Sequence, residues 1–417
     1  MCKITKENDS LQRQTENKDE DSQKIQGNKN IPELRFPEFE GEWITYKLCD
    51  VVTRIIRKNK NLETKRPLTI SAKYGLIDQI EFFDKYVASK NLKGYYLLKK
   101  GEFAYNKSYS NGFPYGAVKR LDLYNQGAIS TLYICFEITN KINSNFLKIY
   151  FDSNKWNKEM YKIAVEGARN HGLLNIPIND FFNTKHLFPS ISEQEKIADF
   201  LSAIDKKIGF MEKKHTLYQN IKKYYSHVLF SNTSDWNKKN LKDIAIIKMG
   251  FTPSTKKEEY WNGNIKWLAV SDMGSKYISK TKKHITKIAI GKKEIIKKDT
   301  LVMSFKLTIG KLGILKEDMY SNEAICNFQW KNKNINTEFM YYYLSSINLK
   351  KYGSQAAKGI TLNKETLNMI PIRIPSYETQ INIVNILSNI DIKLEYLSKK
   401  INYEKRYKKG LLQKMFV

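Results

Sequence analysis

The sequence predicts an α+β chain of two similar units, each a mixed body followed by a long helix. Three observations predict it. The segment PSISEQEKIADFLSAIDKKI from Pro189 recurs from Pro375 as PSYETQINIVNILSNIDIKL at a constant offset, matching Gln194/Gln380, Ile197/Ile383, Leu201/Leu387 and Asp205/Asp391. A second pairing opens each unit: WITYKLCDVV from Trp43 and WNKKNLKDIA from Trp236 align Trp43/Trp236, Leu48/Leu241 and Asp50/Asp243. Short β-rich runs between turn signals fill the bodies, namely FAYN from Phe103, AISTLYICFEI from Ala128, LVMSF from Leu301 and AICNFQW from Ala324.

Residues 1–30, polar and charge-balanced with almost no apolar side chains, are expected to form a disordered tail. The first body spans 31–190 and the second 233–375, with helical stretches expected from Ser144 and from Thr337. Beyond the Trp/Leu/Asp opening and a shared hairpin plan, the two bodies have little sequence in common. The helices span 191–232 and 376–417. Ile197, Leu201, Ile204, Ile208, Met211, His215, Tyr218, Lys222, Tyr225 and Leu229 step by four and three, and the second helix repeats those steps from Ile383 to Met415. Sustained 3.5-residue spacing predicts a coiled-coil seam, about 60 Å long at 1.5 Å per residue. Ser190 or Ser192 and Ser376 are the N-cap candidates, with Glu193, Glu195 and Glu378 in the first turn. Two repeats in one chain pack most simply about a pseudo-two-fold axis, which makes the helices antiparallel and puts the bodies at opposite ends of a rod. His215 and Lys222 facing Glu404 and Lys408 are candidates for fixing the register, and frayed, solvated helix ends are the equal alternative for those residues.

With 71 basic and 43 acidic residues the 417-residue chain carries +28, which points to a polyanionic partner. The second body holds 26 basic against 12 acidic groups and the first 24 against 16, so the excess sits on folded segments and not on a tail. No apolar run approaches 18 residues, so no transmembrane helix is expected. Cys2, Cys49, Cys135 and Cys326 are widely spaced, which predicts neither a disulfide framework nor a zinc site and fits a reduced, cytoplasmic setting. No phosphate-binding G-x-x-x-x-G-K-[ST] loop, G-x-G-x-x-G or H-E-x-x-H occurs. Adjacent prolines and Pro-Asp are also missing, which excludes (N/D)PP(Y/F) and PD-(D/E)xK motifs, so no catalytic residue is assigned.

Basic, hydroxyl and aromatic side chains cluster in a pattern suited to phosphates and base edges. In the first body these are Lys73, Tyr74, Lys107, Ser108, Tyr109, Ser110, Lys119, Arg120 and Arg169. In the second they are Thr255, Lys256, Lys257, Ser271, Asp272, Lys306, Thr308, Lys311 and Lys358. On the residues alone, a Gly-rich hairpin with ordinary surface lysines reads the first set equally well. Trp261 and Trp267 are expected in the core.

The frame from Gln194 to Asp205 and from Gln380 to Asp391, the opening LRFPEFEGEW, and the segments KYGLIDQIEFF, LKKGEFAYNKSYS, MSFKLTIGK and SNEAI resemble the specificity subunit of a Type I restriction-modification enzyme over about residues 31–417. The resemblance implies two target-recognition domains separated by two long antiparallel coiled-coil helices, each domain reading one half of a bipartite site in double-stranded DNA. It also implies two methyltransferase subunits docked on the helices, with Gln194, Ile197, Leu201, Asp205, Gln380, Ile383, Leu387 and Asp391 as partner-binding positions. Restriction subunits complete the assembly, and S-adenosylmethionine, ATP and Mg2+ act in those partners, with no cofactor in this chain. Two other readings stay open here: a coiled-coil adaptor for RNA or structured nucleic acid, and a silent specificity cassette kept for recombination.

Overall fold

The computed structural model describes residues 30–417 except positions 73, 86, 87, 90, 110, 111, 165–173, 307, 357 and 358. The expected disordered tail, apart from Asn30, lies outside the described residues. The chain divides into two compact units, one ending at Phe210 and rejoined by Lys400–Val417, the other Met211–Lys399. Each unit therefore owns one body and part of both long helices.

In the first unit β1 (Ile44–Lys47), β2 (Val52–Ile55), β3 (Phe103–Asn106), β4 (Ala117–Arg120) and β5 (Ile134–Ile138) precede helix α1 (Ser144–Asp152), β6 (Lys185–Phe188) and the start of the long helix α2 (Ile191–Ser231). The second unit repeats the order with β7 (Asn237–Asn240), β8 (Ala245–Met249), β9 (Leu301–Ser304), β10 (Leu312–Leu315), β11 (Ile325–Trp330), α3 (Thr337–Ser346), β12 (Pro371–Ile374) and the long helix α4 (Tyr377–Lys414). The main sheets run β2-β5-β3-β4 and β8-β11-β9-β10, every pair antiparallel, and Tyr277–Ile278 adds a parallel edge strand to β10. The main sheets of the two bodies thus share one strand order, although their sequences suggested little likeness. The reason is that a sheet position demands burial and not identity: FAYN in β3 and LVMS in β9 are both almost wholly enclosed, and α3 lies across β9 and β10.

The repeated opening has a local cause. β1 pairs with β6 and β7 with β12, so the first and last strands of each body clasp one another. A single helical turn follows each first strand. Its Asp50 or Asp243 carboxylate accepts the Lys47 or Asn240 amide, 2.8 Å in both cases. The buried Leu48 and Leu241 amides donate to Thr184 and Ile370 carbonyls, both at 3.0 Å. Each such fully enclosed leucine contributes about 1.5–3 kcal/mol.

Ser190 and Ser376 cap the long helices through the Glu193 and Thr379 amides, while Ser192 lies within the first turn. Ile197, Leu201, Ile204 and Ile208 are buried in the first unit, as are Ile401, Leu411 and Met415; Tyr225, placed in the seam by its spacing, is exposed. The register differs from the expected facing of His215 and Lys222 against Glu404 and Lys408. Within the first unit Asp205 meets Lys408 at 2.7 Å and Lys207 meets Glu404 at 2.5 Å. Within the second, Lys222 meets Asp391 at 2.6 Å and His215 meets Ser398 at 3.0 Å. In both units the partner's number falls as the residue number rises, the mark of an antiparallel pair. The helix expected from Ser144 breaks after Asp152, where Asn154 adopts a left-handed φ of +64°.

Candidate nucleic-acid interface

The loops after β3 and β9 carry six of the fourteen predicted contact residues that fall within the described chain. In the first unit the Tyr105 hydroxyl donates to the Tyr115 carbonyl at 2.6 Å and pinches the loop base. Gly116 makes this possible: at φ +78°, an added Cβ would collide with the Asn106 carbonyl oxygen. The loop then exposes Tyr109 and leaves Lys107 and Ser108 half-buried, the Lys107 ammonium 3.4 Å from the Ile176 carbonyl. Tyr74 stands exposed on the turn after Pro67–Ser71.

Lys119 and Arg120 were expected to face phosphate, yet both are already committed to partners in the fold. Lys119 pairs with Asp152 at 2.6 Å, and Arg120 with Asp122 at 2.7 Å while also donating to Ser144 and Asn145. Burial pushes the Asp122 carboxyl upward, but hydrogen bonds from Lys148 and Arg120 outweigh it and hold the group below its ordinary range. Tyr74, Lys119 and Arg120 do come together, with Lys148, around one cleft of about 360 Å³.

In the second unit buried Ser304 organises the loop. Its hydroxyl accepts the Lys311 amide at 3.1 Å and donates to the Thr308 carbonyl, and Gly310 turns at φ +86°. Lys306, Thr308 and Lys311 are thereby held exposed on one short loop. Thr255, Lys256 and Lys257 lie exposed on a separate loop, where a hydrogen bond to the Tyr260 hydroxyl and the nearby Glu259 raise the Lys257 pKa. Ser271 is exposed. Asp272 instead accepts the Ala269 amide at 3.2 Å and caps its own turn. Trp267 is buried and Trp261 half-buried, their rings 5.1 Å apart edge to face. Lys73, Ser110, Arg169 and Lys358 lie outside the described residues. Both loops are braced alike: the Leu174 amide donates to Lys107 at 2.9 Å and the Leu362 amide to Phe305 at 3.1 Å.

Six of the eight positions expected to bind partners are buried, while Asp205 is exposed and Asp391 half-buried. Gln194, Ile197 and Leu201, and likewise Gln380, Ile383 and Leu387, are 4% exposed or less, and Asp205 and Asp391 hold ion pairs. Each glutamine accepts the amide of the residue that N-caps the body helix, Asn143 at 2.8 Å or Asn336 at 2.9 Å. It also donates to Pro189 or Pro375. The asparagines were not singled out from sequence. Their signal was a recurrence at the offset of Trp43 and Trp236.

Among the described residues no cluster of three or more His, Cys, Asp or Glu is arranged to hold a metal ion, and no helix is long and apolar enough to cross a membrane.

Residues 233–404 match the family described as Type I restriction modification DNA specificity domain. The specificity subunit of the Type I restriction enzyme MjaIX from Methanocaldococcus jannaschii is 32% identical over 169 residues, an alignment spanning 39% of this chain and 39% of that protein. The MjaVIII specificity subunit of the same organism is 24% identical over 316 residues, covering 69% of this chain and 73% of the relative. In fold, the chain is similar to the crystal structure of a Type I restriction-modification S subunit from M. genitalium, with a TM-score of 0.58 at 16% identity over 93% of this chain and 99% of that one.

Proposed function

We propose that the chain is a specificity subunit of a Type I restriction-modification system and that its two units read the two halves of a bipartite, asymmetric site in double-stranded DNA. The observation that carries this reading is one sheet order used twice with different exposed loops. Tyr74, Lys107 and Tyr109 stand on the first frame and Lys306, Thr308 and Lys311 on the second. A repeated frame with changed loops suits two half-sites of different sequence, lysines holding phosphates and hydroxyls meeting base edges. The helices set the number of unread base pairs between the half-sites.

In this reading two methyltransferase subunits dock on the long helices through exposed apolar side chains. Phe210, Leu217 and Tyr224 recur every seven residues on α2, and Tyr396 and Tyr403 occupy matching positions on α4. Those subunits bring S-adenosylmethionine-dependent adenine methylation. Restriction subunits bring ATP- and Mg2+-dependent translocation and cleavage, while this chain supplies the address.

Co-expression with the neighbouring methyltransferase in a cell free of other methylation, followed by mapping of N6-methyladenine, tests the proposal. A two-part motif with a fixed gap is expected. A soluble complex that binds duplex DNA without methylating any bipartite motif sinks it in favour of an adaptor or a stored cassette. Deleting one heptad from α2 should change the accepted gap while both half-sequences stay the same.

A further inference from the structure

In the second unit an unbroken chain of hydrogen bonds and ion pairs joins the recognition body to both long helices. Lys276, just before the edge strand Tyr277–Ile278, donates to Glu338 at 2.8 Å and to the Tyr342 hydroxyl at 2.9 Å. The Tyr277 hydroxyl donates to the other Glu338 oxygen at 2.5 Å. Tyr342 in turn donates to Asp391 of α4 at 2.6 Å, and Lys222 of α2 completes the chain on the second Asp391 oxygen at 2.6 Å. Tyr342 is 4% exposed, with the Lys276 ammonium 4.4 Å from its ring centre and that of Lys222 5.6 Å away. Burial, and then the bond to Asp391, raise its pKa, so the phenol stays a donor at neutral pH. Burial pushes Glu338 upward, but bonds from Lys276 and Tyr277 prevail and keep it ionised. Bonds with a charged partner are short and directional, so a series of them fixes orientation as apolar contact does not.

The first unit is built differently at the matching positions. Asn145 stands where the second unit has Glu338, and buried Ile149 where it has Tyr342. Asn145 is turned to Arg120 within the body, and Asp205, the counterpart of Asp391, accepts Lys408 on both oxygens at 2.7 Å. At the matching positions the first body thus carries a buried apolar side chain where the second carries a charged relay.

We propose that Tyr342 is a positioning residue whose hydroxyl locks the second body to the helix pair and thereby fixes the gap at which the second half-site is read. The proposal rests on the bipartite reading given above. Its test uses the full chain assembled with its methyltransferase subunits, on libraries of sites whose gap varies by one or two base pairs. Wild type is compared with Tyr342→Phe, which removes one oxygen, Glu338→Gln, which keeps shape and removes charge, and Asp205→Asn, which weakens the matching ion pair in the first unit. Thermal unfolding is recorded for each.

Tyr342→Phe and Glu338→Gln are expected to keep both half-sequences while the preference for the cognate gap falls at least ten-fold, and Asp205→Asn to keep the preference. Three results overturn the proposal: unchanged gap preference in both relay variants, equal relaxation in Asp205→Asn, or loss of the second half-sequence itself. Relaxation that merely follows the drop in melting temperature across all variants does so too. Wild type that methylates no two-part motif removes the underlying reading, an outcome distinct from a strict gap that Tyr342→Phe leaves strict.

Discussion

Replacing Gln380 with leucine, close in size and without the amide, removes three hydrogen bonds from a site 1% exposed. The Asn336 amide loses its acceptor at 2.9 Å, and the Asn334 and Pro375 carbonyls lose donors at 3.1 and 3.2 Å. An orphaned buried amide costs about 1–3 kcal/mol, and a carbonyl with a second lone pair costs less. The sum is about 2–5 kcal/mol, of which the orphaned N–H alone accounts for about 1–3 kcal/mol. Gln194→Leu breaks two bonds, to the Asn143 amide and the Pro189 carbonyl, so its loss should be no greater. Because the two units need not unfold together, urea denaturation is paired with hydrogen exchange. Amides of α3 should exchange ten-fold or more faster in Gln380→Leu, and those of α1 in Gln194→Leu. Loss below about 0.5 kcal/mol with unchanged exchange would refute the assignment of these glutamines as braces, since a surface substitution gives that result.

Lys306→Ala and Lys311→Ala should each weaken duplex binding and shorten the salt slope by about one. Lys119→Ala, whose partner is Asp152, should leave the slope nearly unchanged in a fluorescence titration. Gly116→Ala should destabilise the first unit by more than about 1–2 kcal/mol, the left-handed penalty alone, because its Cβ also meets the Asn106 carbonyl; a chemical melt checks this. Burial lowers the His186 pKa to about 3, with the ring held between Tyr150 at 2.8 Å and Thr184 at 2.7 Å. The unfolded chain binds that proton from about pH 6.5 downward and the folded chain does not, so stability present above 6.5 should fall by up to ~1.4 kcal/mol per pH unit toward 3. Subtracting the profile of His186→Phe isolates the slope, and a flat difference would contradict it.

The repeats, the helix caps and the antiparallel pairing were legible because they depend on residues close in sequence or recurring at one offset. The glutamines were legible as repeated but not as braces, since their partners lie 51 and 44 residues away. Lys119 and Arg120 look like free cations in a basic stretch. Asp152, 33 residues on, and Asn145 and Ser144 become their neighbours only once the sheet places α1 beside β4. The shared strand order was hidden for a related reason: β3 and β9 keep burial and little else, and sequence comparison sees identity first.

The repeat also fixes how each body is sealed. Trp43 packs on Phe146 at 6.2 Å and on Phe416 at 6.1 Å, while Trp236 packs on Phe339 at 5.8 Å and on Phe230 at 6.3 Å. Phe230 and Phe416 are matched positions on α2 and α4, as are Lys222 and Lys408, which hold Asp391 and Asp205. Each tryptophan is therefore covered by the far end of the helix that belongs to the other repeat. A fragment of residues 31–232 lacks Phe416 and Lys408 but carries Phe230 and Lys222, the residues that do the same work elsewhere. Its free groups are self-complementary, and a symmetric pair of fragments satisfies both at once. Sedimentation should therefore find this fragment dimeric, with Phe230→Ala and Lys222→Ala shifting it toward an unfolded monomer. A folded monomer with Trp43 shielded from a quencher would show that the seal does not depend on the second helix.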